Sequence, residues 1–263
     1  MLKKKSMNSR LALLTFTAAA MIAGCRTGPS VASPGATATN SAIDWNTAGA
    51  IGGTIRFAGK APPRVEIDMR QDPACGLTGG TNMSEQYIVH DGKLANVFVS
   101  ITDGLGNKVY AAPANAVVVD QKGCRYVPHV IGVMAGQPVE FTNSDPTMHN
   151  VHTTPDNGNP EINISQPPKQ GTTRQVFTHP VAMMAVHCAN HPWMQAFINV
   201  ASSPFYAVSD ENGHFEIRGL PPGTYTLTAI HEELGTQTAK VTVQPKQTVA
   251  ADFTFGAGSA RAQ

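Results

Sequence analysis

The chain of 263 residues is 41% hydrophobic and 14% charged, with a formal net charge of +1. Its length allows one or two domains with cores of their own. The near-balance of charge gives nucleic acid no footing, because there is no basic excess to neutralise phosphates.

Lys3, Lys4, Lys5 and Arg10 precede an apolar run over residues 11–23, the pattern of a secretory signal too short to span a bilayer. The run closes on Ile22, Ala23, Gly24 and Cys25, which resembles the bacterial lipobox; an ordinary signal followed by an idle Cys is the alternative. The resemblance implies removal of residues 1–24, acylation at Cys25 and a lipid anchor in the cell envelope, facing the periplasm. Arg26 is not the Asp that commonly retains lipoproteins at the inner membrane, which favours the outer membrane of a diderm cell. Removing residues 1–24 takes away four basic side chains and no acidic one, so the charge becomes mildly negative. Residues 25–47 are rich in Ser, Thr, Ala, Gly and Pro. With so little apolar surface to bury, they are expected to form a flexible tether.

Beyond the tether, short runs rich in Val, Ile, Phe and Thr recur between Gly, Pro and Asn, as at 53–57, 94–101, 117–119, 139–142 and 196–200. No segment carries a long helical period. An all-β, sandwich-type fold follows.

The densest chemistry lies at residues 187–194, HCANHPWM, with a further imidazole pair at His149 and His152. A thiol, imidazoles and a thioether are the ligand set of a blue copper site, where a His2Cys plane with a long axial Met suits both copper oxidation states. The Cys must be a thiolate for this. The spacing Cys-x2-His-x2-Met fits a tight loop between two strands, and a fourth ligand must come from a distant strand, where His149 is well placed. His152 is its rival. His187 lies one residue from Cys188, so strand alternation sends it to the opposite face. Each residue alone has an ordinary reading: a buried apolar Cys, a core or surface His, a gap-filling Met.

Residues 126–200 resemble the cupredoxins, with the run Val133, Gly136, Val139, Phe141 and Asn143 leading into Met148, His149, Asn150, Val151 and His152. The loop Cys188, His191, Pro192, Trp193, Met194 is similar to the short ligand loop of amicyanins. The resemblance implies one type 1 copper, with His149, Cys188 and His191 equatorial and Met194 axial, and the Asn150 amide bonding the thiolate. Pro192 would shape the loop, and Trp193 either marks an apolar patch beside a solvent-facing His ligand or packs the loop. The residues before Cys188 read Ala182, Met183, Met184 and Ala185, where the family carries a Gly turn and aromatics. With Cys25 assigned to lipid and Cys188 to copper, Cys75 and Cys124 remain; in an oxidising compartment a disulfide between them is expected, two buried thiols being the alternative.

Toward the C-terminus, residues 207–216 read as strand, Asn212-Gly213 turn and strand, and residues 219–227 repeat this with a Pro221-Pro222-Gly223 turn. Together they resemble the carboxypeptidase regulatory-like, or transthyretin-like, β-sandwich. The opening of that family matches Gly53, Ile55, Gly59, Lys60 and Pro62, which precede the copper segment. The expected arrangement is therefore a regulatory-like sandwich in two parts, 48–112 and 203–256, interrupted by a cupredoxin at 113–202; three consecutive small domains are the alternative.

These resemblances imply a non-enzymatic, lipid-anchored electron carrier working between a periplasmic dehydrogenase or quinol-linked donor and a c-type cytochrome or second copper protein. An envelope scaffold, or a copper storage or delivery protein, is the reading from a different class. No Ser-His-Asp spacing, phosphate loop or second ordered His set points to an enzyme.

Overall fold

The computed structural model describes residues 40–76 and 82–256. Lipidation at Cys25 and the signal at 1–24 lie outside the described residues. Strands dominate, and among the described residues the α-helical element is the single turn Pro73–Gly76.

The described residues form two hydrophobic cores. The first is enclosed by a sheet centred on Gly49–Ala58, which pairs antiparallel with His214–Leu220 and parallel with Thr248–Ala250 and Phe253–Gly256. The facing sheet runs Tyr206–Val208, Phe98–Asp103, Gly223–His231 and Gly235–Val243. Period-2 alternation builds this core: Ile55 and Phe57 point in while Arg56 and Ala58 face water, and Tyr225, Leu227 and Ala229 do the same from the facing sheet. At about 25 cal/mol per Å² of buried apolar surface, these alternating side chains supply the main stabilisation.

The second core lies between a five-stranded and a four-stranded sheet. The five-stranded sheet runs Ile162–Gln166, His149–Thr153, Val181–His187, Gln195–Ala201 and Val130–Met134. The four-stranded one runs Thr173–Val176, Pro138–Asn143, Val117–Gln121 and Tyr126–Val127. Val119, Tyr126, Phe141, Val151, Phe177, Val186 and Ile198 fill the space between them.

Three local expectations are corrected. The Asn212-Gly213 turn does not close a hairpin: Tyr206–Val208 and His214–Leu220 belong to opposite sheets, so the turn arches across the first core. Gly213 has φ +68° and a Cβ there would stand 2.3 Å from the Ile55 carbonyl, so the arch requires glycine. Ser41 and Ile43, expected in the tether, are engaged with the first sandwich, Ile43 packing against its core and the Ser41 amide bonding the Val109 carbonyl. Met69 and Cys75, expected within the first sandwich, are buried in the second core.

Candidate metal centre

His149 opens an interior strand of the five-stranded sheet, and Cys188 directly follows the neighbouring, central strand Val181–His187. The chain from Cys188 then closes on itself, with the Met194 amide donating to the His191 carbonyl at 2.9 Å and the Cys188 amide to the Met194 carbonyl at 3.3 Å. This tight loop turns His191 back over Cys188. The ligand atoms of His149, Cys188 and His191 all lie within 4.8 Å of one another, and all three residues are buried. His149 Nδ1 and His191 Nδ1 are 2.9 Å apart, and Cys188 Sγ is 3.5 Å from His191 Nδ1. The Asn150 amide donates to Cys188 Sγ at 3.3 Å. Met194 is fully buried in the same core as Cys188.

The outer edges of both imidazoles are held by carboxylates. His149 Nε2 lies 2.9 Å from Asp145 Oδ2, and His191 Nε2 lies 2.9 Å from Asp72 Oδ2. A neutral ring that donates its Nε2–H to a carboxylate presents a bare lone pair at Nδ1. Two Nδ1 atoms facing each other at 2.9 Å beside a thiolate need a positive charge between them, a proton in the metal-free protein or a metal ion in its place. The electrostatics reflect this. Burial pushes the Cys188 thiol up, but hydrogen bonds from His149, His191 and backbone amides outweigh it and hold the thiol at about 6. Burial likewise disfavours charge on His149, yet Asp145 and Cys188 raise it to about 9. The His191 hydrogen bond, followed by that of Thr147, holds Asp72 at about 2. The donor set, one soft thiolate and two carboxylate-oriented imidazoles, fits copper.

His152 and His187 stand outside this cluster. They pair across adjacent strands on the outer face, and His152 Nε2 lies 3.1 Å from Glu161. Pro192 is exposed on the loop. Trp193 is half-buried, with its ring centroid 5.2 Å from that of His191 and its Nε1–H donating to the Cys124 carbonyl at 3.2 Å, so it packs the loop. His191 itself, expected to face solvent, is only 3% exposed. The reason is the helical turn Pro73–Gly76, fastened over it by a Cys75–Cys124 disulfide whose Cα atoms are 5.6 Å apart.

Asp72 and Asp145 are the site residues that sequence reasoning missed. Asp145 carried a faint signal, four residues before His149. Asp72 carried none beyond its position three residues before a half-cystine.

Comparison with known proteins gives partial likenesses. No curated protein sequence matches. Similar solved structures include a copper-containing nitrite reductase from Thermus scotoductus SA-01, at 22% identity, 38% of this chain, 26% of that chain and a TM-score of 0.32. Amicyanin from Paracoccus versutus follows at 22% identity, 39% of this chain, 97% of that chain and 0.30. A purple cupredoxin from Nitrosopumilus maritimus gives 21%, 34%, 100% and 0.28. The chain spans about a quarter of the nitrite reductase. The carboxypeptidase regulatory-like domain matches residues 188–256, which take in the C-terminal strands of the first sandwich and begin at Cys188 in the second.

Proposed function

We propose that the second sandwich holds one type 1 copper at His149, Cys188, His191 and Met194, and that the protein carries single electrons between redox partners of the cell envelope. The observation that carries this reading is the pair of facing Nδ1 atoms, 2.9 Å apart with the Cys188 sulfur 3.5 Å from one of them, each ring braced from behind by a carboxylate. Copper bound there would supply a one-electron couple. The chain's contribution is to hold the imidazoles in one orientation, to offer the Asn150 amide to the Cys188 sulfur, and to exclude water by burying all three donors. The first sandwich would serve as a non-catalytic support, and the leader with Cys25 supports a lipid-anchored, periplasm-facing location. A dehydrogenase, a c-type cytochrome or another copper protein would be the partner class.

Copper storage or delivery is the second reading, favoured by the burial of His191 behind Asp72, which removes an open imidazole edge for electron exit. The two readings separate on loading the soluble form, lacking residues 1–25, with Cu(II) and recording visible and EPR spectra. An intense thiolate-to-copper band with a reversible couple is expected. A colourless Cu(I) protein that gives up its metal would sink electron transfer in favour of delivery.

A further inference from the structure

One disulfide touches both braces of the site. Asp145 Oδ2, besides holding His149, accepts the Cys124 amide at 2.7 Å, and its Oδ1 accepts the Gly123 amide at 2.7 Å. Asp72 Oδ2 holds His191 and accepts the Thr147 hydroxyl at 2.8 Å, its Oδ1 accepts the Ala74 amide at 2.8 Å, and its carbonyl accepts the amides of Cys75 and Gly76. Each carboxylate is thus fixed by backbone next to one half of the same bridge. Cys75 Sγ shares a cluster within 4.8 Å with the polar atoms of Asp72 and His191, and Cys124 Sγ shares one with those of Asp145 and His149.

The two imidazoles need this support unequally. His149 stands on a strand paired on both sides, whereas His191 sits on the short loop after Cys188, away from any ladder. Its Nε2 partner comes from a residue 119 positions earlier, on the turn that the disulfide fastens to the second core. We infer that Asp72 is a positioning residue for His191, and that the Cys75–Cys124 bridge, by tying the Asp72 turn to the backbone that holds Asp145, sets the orientation of both imidazoles together. The inference rests on the copper reading for its purpose, but not for its test. A hydrogen-bonded partner behind a ligand imidazole is worth about 10–100-fold in metal affinity.

The first measurement uses metal-free protein with 15N-labelled histidine, in which a hydrogen-bonded, slowly exchanging Nε2–H is expected at His191. Asp72→Ala should abolish that signal and weaken Co(II) binding by about 10–100-fold, with the fold intact by circular dichroism. Asp72→Asn, whose amide oxygen can still accept the Nε2–H, should restore the signal and most of the affinity. A Cys75→Ala, Cys124→Ala double variant should reproduce the Asp72→Ala pattern at His191; if it fails to fold, the two Asp72 variants decide. An unchanged His191 signal and unchanged Co(II) affinity in Asp72→Ala would overturn the positioning role. A folded double variant with a wild-type His191 signal would overturn the part given to the bridge. A wild type that shows the Nε2–H signal but binds no copper would remove the proposed function and leave this inference standing.

Discussion

His129 Nε2 meets Glu232 Oε1 at 2.6 Å, and the contact joins the two sandwiches, His129 coming from the second and Glu232 from the turn that ends the first sandwich's strand Gly223–His231. Both side chains are buried. His129 Nδ1 also reaches the Gln195 carbonyl at 3.1 Å, next to the ligand loop. Burial disfavours charge on His129, but the hydrogen bond and charge of Glu232, with a lesser contribution from Glu85, raise its pKa above the ordinary value. Glu85 in turn is paired with Arg125 at 2.9 Å, and the neighbouring His231 is held near 4 by burial and by His129.

A raised histidine contributes stability that is fully present below its unfolded value of about 6.5 and is lost as pH rises through the folded value. His129→Gln should therefore cost about 3 kcal/mol at pH 6, where Glu232 is left buried without its cation, and progressively less at alkaline pH. Thermal melts of the metal-free proteins across pH 5 to 10 check this. A deficit independent of pH would mean that packing, not charge, joins the sandwiches here.

Substitutions at the proposed copper site should separate by donor strength. Cys188→Ser should abolish the thiolate-to-copper band, because a hydroxyl offers no sulfur orbital. His149→Ala should weaken Cu(II) binding by about 100-fold or more, beyond the range expected for losing an outer-shell partner alone, because a direct donor is removed. Met194→Leu should keep a coloured centre and raise its reduction potential, since a weak axial donor favours Cu(II) more than Cu(I). His152→Ala should leave the spectrum unchanged, because its ring turns outward to Glu161. A bleached His152→Ala protein would reverse the assignment of the first histidine.

What could be read from the sequence divides along physical lines. The cluster of His149, Cys188 and His191 was legible because the loop spacing is local and strand alternation sorts His187 from Cys188. The disulfide was legible by elimination once Cys188 had a role. Asp72 was not, because only long-range folding brings it to His191, and no spacing rule spans 119 residues. The arch at Asn212-Gly213 was misread because the same positive φ serves a hairpin and a crossing between sheets, and the choice is made by packing against Ile55. The oddity before Cys188 also has a local cause. Strand register shifts between Val181 and Met184, Met183 takes φ +51°, and the buried Asn199 side chain accepts the Met183 amide at 2.8 Å.

Removing the Cys75–Cys124 bridge, which closes a separation of 49 residues, should destabilise the fold by about 4 kcal/mol on the chain-entropy estimate. Denaturant melts of the double alanine variant measure this. Non-reducing peptide mapping of the wild type should recover the two cysteines in one linked fragment, and two alkylated thiols there would rule the bridge out.

Gly132 sets how closely the sandwiches approach. It lies on the second sandwich's strand Val130–Met134, and a Cβ there would stand 2.7 Å from the Tyr206 ring and 2.9 Å from the Phe98 ring, both on the first sandwich. Neither ring can retreat freely. Phe98 is buried, and the Tyr206 hydroxyl bonds Gln137 Oε1 at 3.3 Å, an atom that also accepts the Met134 amide. Gly132→Ala should therefore cost about 1–3 kcal/mol by overpacking. The metal spectrum should persist, because Gly132 pairs with Asn199, well along the strand from the ligand loop. Phe98→Leu opens space on the opposing side, so the double variant should lose less stability than the two single changes added together. Strictly additive losses in such a cycle would show that the glycine is not holding the two sandwiches in contact.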